Sequence, residues 1–235
     1  MSKKKVLITG GTRGIGKSIS EIFHVNNYSI YITGTKEIDV PDYIDGFFIV
    51  DFTNDKSVKS FLDEISKIDF DVLINNAGIN IIKEIGEVSD NEFNKIFDVN
   101  IKAPYFLIQK ILPKLKTNSK IVNISSIFGF VSKEKRSLYS STKYAINGMT
   151  KSLSIELGPK NILINSVLPG FTETELTFES LNQNEINELT SLIPLGRFAK
   201  TNEIAELVYF LSSEKNTYIT GQNIIIDGGF TSKWK

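Results

Sequence analysis

The chain has 235 residues, 41% of them hydrophobic, with 27 Lys+Arg against 27 Asp+Glu. That length suits one large α/β domain or two small ones, and the balanced charge argues against nucleic acid or a polybasic membrane contact as a partner. With no cysteine and one histidine, disulfides, thiolate nucleophiles and cysteine or imidazole metal sites are excluded, so the catalysis expected here uses neither metal nor thiol.

Met1-Ser2-Lys3-Lys4-Lys5 is basic, but the apolar run after it, Val6-Leu7-Ile8, stops at glycines instead of extending as a signal segment. No apolar stretch reaches transmembrane length. The expectation is a cytoplasmic protein made of one domain over residues 1–235.

Lys5 to Thr9 reads as a strand, Gly10-Gly11-Thr12-Arg13-Gly14-Ile15-Gly16 as a turn, and Lys17 to Asn26 as a helix, with apolar spacing at Ile15, Ile19, Ile22 and Phe23. Such a turn lets backbone N–H groups at a helix N-terminus approach a pyrophosphate, the alternative being a plain glycine-rich turn. His24, late in the helix, is read as a surface or packing residue. A second strand, Ser29 to Thr33, leads to Gly34-Thr35-Lys36, where an acid commonly receives the adenosine ribose of NAD. Gly34 in its place, with Arg13, Thr35 and Lys36 near, favours the 2′-phosphate of NADP, while Glu37 and Asp39 keep NAD as the alternative. The connection from Lys36 to Gly46 has no amphipathic pattern and is expected to cross without a full helix.

Phe47 to Val50 is the third predicted strand, ending at Asp51, which is placed to reach an adenine; Asn54 or Asp55 then caps a helix through Ile65. Val72-Leu73-Ile74 is fully apolar, as a parallel strand covered on both faces requires. It runs into Asn75-Asn76-Ala77-Gly78, whose small residues allow a cofactor to pass closely. Ser89 and Glu92 form a capping box for a long helical pattern toward Leu112, in which Pro104 predicts a kink near Lys102. Asn100 lies within the apolar stripe of that pattern, so it needs either backbone partners or a water. Lys120 to Ile124 is a fifth strand delivering Ser125 and Ser126, and Ile162 to Leu168 a sixth, ending at Pro169-Gly170. Phe171 to Leu195 suits a mobile lid, Thr201 or Asn202 caps a helix through Leu211, and Asn223 to Ile226 is a seventh strand. This alternation predicts a doubly wound parallel sheet with helices on both faces and ligands beyond the carboxyl ends of its strands.

The helix from Tyr139 to Leu157 sets Tyr139 and Lys143 four residues apart, on one face. A cation beside a phenol favours the phenolate and makes tyrosine usable in acid–base work near neutral pH. The spacing alone also fits an ordinary surface pair.

Thr9-Gly10-x-x-x-Gly14-x-Gly16, Asn75-Asn76-Ala77-Gly78, Asn100, Ser126, Tyr139-x-x-x-Lys143 and Pro169-Gly170 occur together in this order and spacing. In this the chain, from Val6 to Gly229, resembles the short-chain dehydrogenases/reductases. The resemblance implies a seven-stranded Rossmann fold and hydride transfer between a nicotinamide and a carbonyl or secondary alcohol. It gives Tyr139 the acid–base role, Lys143 the nicotinamide ribose and a lowering of the tyrosine pKa, Ser126 the substrate oxygen, and Asn100 a water in a proton relay. The implied cofactor set is Gly10, Thr12, Arg13, Gly14, Ile15 and Gly16, then Gly34, Thr35 and Lys36, Asp51 near adenine, Asn76, Ala77 and Gly78 beside the ribose, and Pro169, Gly170 and Thr172, with Tyr139 and Lys143 shared. Two features depart from the family pattern: the short connection after Lys36 and the bulky Tyr144.

Gly170-Phe171-x-Glu173-Thr174 and Ile193-Pro194-Leu195-Gly196-Arg197 are similar to 3-oxoacyl-acyl carrier protein reductases, which implies an acyl-thioester substrate. The alternatives are a keto-sugar or other small-alcohol dehydrogenase, and a catalytically silent dinucleotide-sensing protein. Lys114, Lys116, Lys120 and Lys160 offer positive charge to an acidic carrier, or are simply solvated. Apolar stripes at Ile146, Met149, Leu153 and Leu157, and at Ile101, Tyr105, Ile108 and Leu112, together with the family's two-fold contacts, imply a homotetramer, with a homodimer as the lesser assembly.

Overall fold

The computed structural model describes residues 3–232; Met1 and Ser2 of the basic N-terminus lie outside the described residues. β1 (Lys5–Ile8), β2 (Ser29–Gly34), β3 (Ile44–Ile49), β4 (Val72–Asn75), β5 (Lys120–Ile124), β6 (Leu163–Pro169) and β7 (Asn223–Ile226) form one sheet in the order β3-β2-β1-β4-β5-β6-β7. Every pairing in it is parallel. The chain winds outward from β1 to β3 and then returns to place β4 on the other side of β1. The crevice beyond the carboxyl ends of β1 and β4 is therefore the switch point at which such sheets bind ligands.

Successive strand residues face opposite sides, so Val6 and Ile8 pack with α1 (Gly14–Val25) and α8 (Thr201–Ser212), whereas Leu7 packs on the other side with α2 (Asp55–Ile65), α4 (Ala103–Ile111) and α5 (Ser137–Leu157). On the first face Ile19, Phe23, Ile204 and Val208 are buried; on the second, Phe61, Ile65, Leu107, Ile111 and Leu157. Both faces are covered, which accounts for the unbroken apolar runs of the inner strands.

Residues 36–43 cross from β2 to β3 without a helix, as their lack of amphipathic spacing predicts, but β3 begins at Ile44, three residues before the predicted start. Asn54 caps α2 through the N–H groups of Lys56 and Ser57. The Ser89–Glu92 capping box opens α3 (Asp90–Phe97). The predicted kink is a π-helical turn, Asp98–Lys102, joining α3 to α4, in which the Ala103 N–H bonds the Asp98 carbonyl five residues back; Pro104 has no N–H to offer the carbonyl of Asn100. α8 starts one residue earlier than expected, with Lys200 at the cap position and its N–H donated to the Glu203 carboxylate at 2.7 Å. The segment after β6 carries two short helices, α6 (Glu175–Ser180) and α7 (Gln183–Leu192).

Candidate active site

The glycine turn depends on close contacts and on left-handed backbone at Gly10 and Gly14. A Cβ on Gly16 would stand 2.1 Å from the Gly10 carbonyl oxygen, and Gly10 itself has φ +65°. Asn76 fastens this turn to β4, donating from Nδ2 to the carbonyls of Thr9 and Gly10, both at 2.9 Å, while the Thr9 hydroxyl accepts from the N–H groups of Asn76 and Ala77. Arg13 occupies the cap position of α1 and supplies no side-chain acceptor. The first-turn N–H groups of Gly14, Ile15 and Gly16 have no acceptor within the helix, the polarity that suits an anion.

The dinucleotide fits this frame. Gly34 closes β2, and a Cβ there would meet Thr12 Cγ2 and a Phe47 ring carbon at 2.9 Å, so this position leaves no easy place for a ribose-binding acid. Thr35 and Lys36 follow it exposed. Arg13 is exposed as well, and its guanidinium is paired at 3.5 Å with Glu175 of α6. Asp51 lies exposed after β3, with its carboxyl held below the ordinary range by two hydrogen bonds from Thr53. Ala77 and Gly78 continue from β4; Pro169 ends β6, Gly170 donates its N–H to the Ile226 carbonyl, and Thr172 Oγ1 donates back to the Gly170 carbonyl.

Ser126 ends the β5 connection, where its Oγ accepts the Phe128 N–H at 3.2 Å and caps a 3₁₀ turn over Ile127–Gly129. That turn packs against α5 because Gly129 has no side chain: a Cβ would lie 2.9 Å from the Lys143 carbonyl oxygen and 2.6 Å from Asn147 Nδ2. The serine is thereby brought against Tyr139, and Asn147 Nδ2 fixes the turn by donating to the Gly129 carbonyl at 2.9 Å. The face of α5 turned to the sheet is unusually polar, burying Thr142, Lys143, Asn147 and Thr150. Tyr144, on the outer side, bonds the Phe130 carbonyl and ties α5 to the loop after the turn.

The electrostatics depart from the expectation that Lys143 lowers the tyrosine pKa. Burial raises the Tyr139 phenol above 10.0, and the contributions that pull it back come from Ser126 and Arg136. Lys143, only 5% exposed, is itself pushed down to about 8 by desolvation. Its Nζ stands 5.5 Å from the Tyr139 ring centroid, donates to the Ile124 carbonyl at 3.0 Å, and lies 3.6 Å from where a Cβ on Gly78 would be.

The Asn100 side chain has protein partners. Its Oδ1 accepts the Ile79 N–H at 2.9 Å, and its Nδ2 donates to the Ile79 carbonyl and to Thr142 Oγ1, each at 3.0 Å. The side chain clamps the loop after β4 to α5, and its amide hydrogens are both used. Sequence reasoning does not single out Thr142; its position directly before Lys143 is the available signal. It also passes over Arg136, which stands three residues before Tyr139 within a charged run.

With this geometry in view, comparison with known proteins is specific. The family profile described as Enoyl-(Acyl carrier protein) reductase matches residues 10–231. The chain belongs to the short-chain dehydrogenase/reductase family. It is 36% identical over 240 residues to the 3-oxoacyl-[acyl-carrier-protein] reductase FabG of Aquifex aeolicus, covering 96% of each chain. Among solved structures it is similar to 4-hydroxyisoleucine dehydrogenase complexed with NADH (TM-score 0.91, 30% identity, 99% of this chain and 100% of that one). It is likewise similar to ElxO with NADP bound (TM-score 0.88, 34% identity, 98% and 100%). As a member of this family the chain is an oxidoreductase using a nicotinamide dinucleotide.

The lysines suggested for a carrier protein are not gathered at this site. Lys120 is buried at the first position of β5, at the amino ends of the strands, where it lines a cleft with Lys4 and Lys116; Lys114 is paired with Asp69. The apolar stripes are also largely core: Ile108, Ile146 and Leu157 are buried, Met149, Leu153 and Leu112 pack against that core, and Tyr105 is exposed. His24 is stacked on Tyr43 with centroids 4.5 Å apart. Among the described residues no helix is long and apolar enough to cross a membrane.

Proposed function

We propose that the protein is an NADP-dependent carbonyl reductase in which Tyr139, Ser126 and Lys143 carry the chemistry. The observation behind this reading is their convergence beside the glycine turn: Ser126 contacts the Tyr139 phenol, and Lys143 Nζ reaches the Ile124 carbonyl next to Gly78. When bound, a reduced nicotinamide supplies the hydride. Ser126 orients the substrate oxygen, Tyr139 gives it a proton in reduction and takes one in oxidation, and a protonated Lys143 stabilises the phenolate left behind. Asn100 holds the loop after β4 in register with α5, and in this reading it also holds the water that relays the proton.

For the cofactor, Gly10, Thr12, Gly14, Ile15 and Gly16 take the pyrophosphate side, and Arg13, Thr35 and Lys36 the 2′-phosphate. Asp51 lies toward adenine, Asn76, Ala77 and Gly78 beside the ribose, and Pro169, Gly170 and Thr172 toward the nicotinamide. The relatives' names support 3-oxoacyl thioesters as the first substrate class to assay. A keto-sugar or other small-alcohol dehydrogenase is the second reading, favoured by a buried arginine beside Tyr139. We read residues 1–235 as one cytoplasmic domain with a lid over 171–195 that assembles as a homotetramer.

The test is a panel of 3-oxoacyl thioesters, keto-sugars and simple ketones followed by NADPH absorbance. Turnover of any of them supports a carbonyl reductase, and the best substrate chooses between the two readings. Tight NADPH binding with no turnover of any member would instead favour a silent dinucleotide sensor.

A further inference from the structure

Arg136 stands immediately before α5 and is 8% exposed. Its Cζ lies 5.1 Å from the centroid of the Phe128 ring, and neither Nε nor NH1 has a hydrogen-bond partner. No carboxylate acts on it from the described residues; the one charge partner it feels is the Tyr139 phenol. A guanidinium in such surroundings is costly unless something compensates it, and an aromatic face does so only in part.

Its place in the site narrows what that something is. The Phe128 ring under Arg136 packs edge-on against Tyr139, with centroids 6.1 Å apart, and the Phe128 N–H is bonded to Ser126 Oγ at 3.2 Å. Arg136 therefore borders the two residues assigned to the substrate oxygen. A three-residue spacing at the helix entry keeps it on the side of Tyr139. A planar fork of N–H donors matches a carboxylate or a phosphate, and a neutral alkyl ketone leaves it unpaired.

We propose that Arg136 binds an oxoanion, a carboxylate or a phosphate ester, carried by the substrate a few bonds from its reacting carbonyl. This rests on the carbonyl-reductase reading and, within it, selects small anionic ketones over neutral acyl chains. Arg136 is then the residue that sets substrate charge, distinct from those that move the proton. The desolvation that holds the guanidinium below its ordinary range is offset by the charge of an arriving anion.

The experiment compares matched pairs with NADPH: 4-oxopentanoate against its methyl ester, and dihydroxyacetone phosphate against dihydroxyacetone. The anionic member of at least one pair is expected to have a kcat/KM about 10- to 100-fold above its neutral partner, the range of one charge-assisted hydrogen bond. Which pair shows the effect tells carboxylate from phosphate. Arg136→Gln should remove this advantage chiefly through KM, and Arg136→Lys should restore part of it. Neutral members that equal or exceed the anionic ones in both pairs overturn the proposal without any variant. So does an Arg136→Gln enzyme whose kcat/KM falls by the same factor for both members of a pair, since that is the mark of a purely structural role. If no member of either pair and no thioester is reduced, the carbonyl-reductase reading fails instead.

Discussion

Lys143 Nζ lies 5.5 Å from the centre of the Tyr139 ring and donates its hydrogen bond to the Ile124 carbonyl, 3.0 Å away at the end of β5. The pair is thus held together by the strand end as much as by helical spacing. Burial acts on both members in opposite directions, raising the phenol and bringing the ammonium down to about 8. Each is displaced toward its neutral form, and a bound substrate and cofactor must supply the polar surroundings in which they work.

Tyr139→Phe removes one hydroxyl and little packing. Turnover should fall by about 10²- to 10⁴-fold, the usual contribution of a general acid, while NADPH affinity measured by fluorescence titration stays within a few-fold. A variant retaining more than about a tenth of the wild-type rate contradicts the acid role.

The depressed Lys143 pKa has a consequence for stability. Between about 8 and 10.5 the unfolded chain binds a proton that the folded one does not, so unfolding free energy should rise with pH across that window. From pH ~7.5 to ~9.5 the wild type should gain about 2 kcal/mol relative to Lys143→Met in denaturant melts. Parallel pH dependence in the two proteins shows that the fold does not depress the lysine. The same variant should lose both turnover and cofactor affinity.

Arg13, Thr35 and Lys36 without an acid at Gly34 should make NADPH bind more tightly than NADH. Arg13→Ala is the informative variant, because a carboxylate on Gly34 meets Thr12 and Phe47 before any ligand. It should weaken NADPH by about tenfold and NADH by much less, in line with one charge-assisted contact. Equal losses for both dinucleotides, read by calorimetry, contradict a 2′-phosphate site at this residue.

The case for a homotetramer rests on residues other than the buried members of the two sequence stripes. Tyr105, Phe106 and Tyr144 are exposed at 47%, 42% and 49%, on helices whose inner sides form the core. Light scattering at micromolar concentration should give about four times the 26.4 kDa of one chain, and Phe106→Glu should lower that mass. A monomer mass in the wild type removes the assembly altogether.

Local features were legible from the residues alone. Apolar runs such as Val72-Leu73-Ile74 read as strands because both faces of a parallel sheet are dry. The glycines at 10, 14 and 16 read as a tight strand-to-helix turn, the first two at positive φ and the third in close contact with the Gly10 carbonyl, and four-residue spacing put Tyr139 and Lys143 on one face. What burial and distant partners do to those groups followed only from the packing of the whole chain. It was the return of the chain to β4 beside β1 that brought Asn76 to the glycine turn, and packing of α5 that engaged Asn100 with Ile79 and Thr142. The same packing set the charge leanings of Tyr139 and Lys143, sent Ile108, Ile146 and Leu157 into the core, and left Lys120 at the far end of the strands. Arg136 is the sharpest case: in sequence it is one more charge in a polar run, and only the fold encloses it against Phe128 with Nε and NH1 unpaired. Propensity and periodicity act over a turn or a strand, whereas desolvation and hydrogen-bond satisfaction are properties of the whole packed chain.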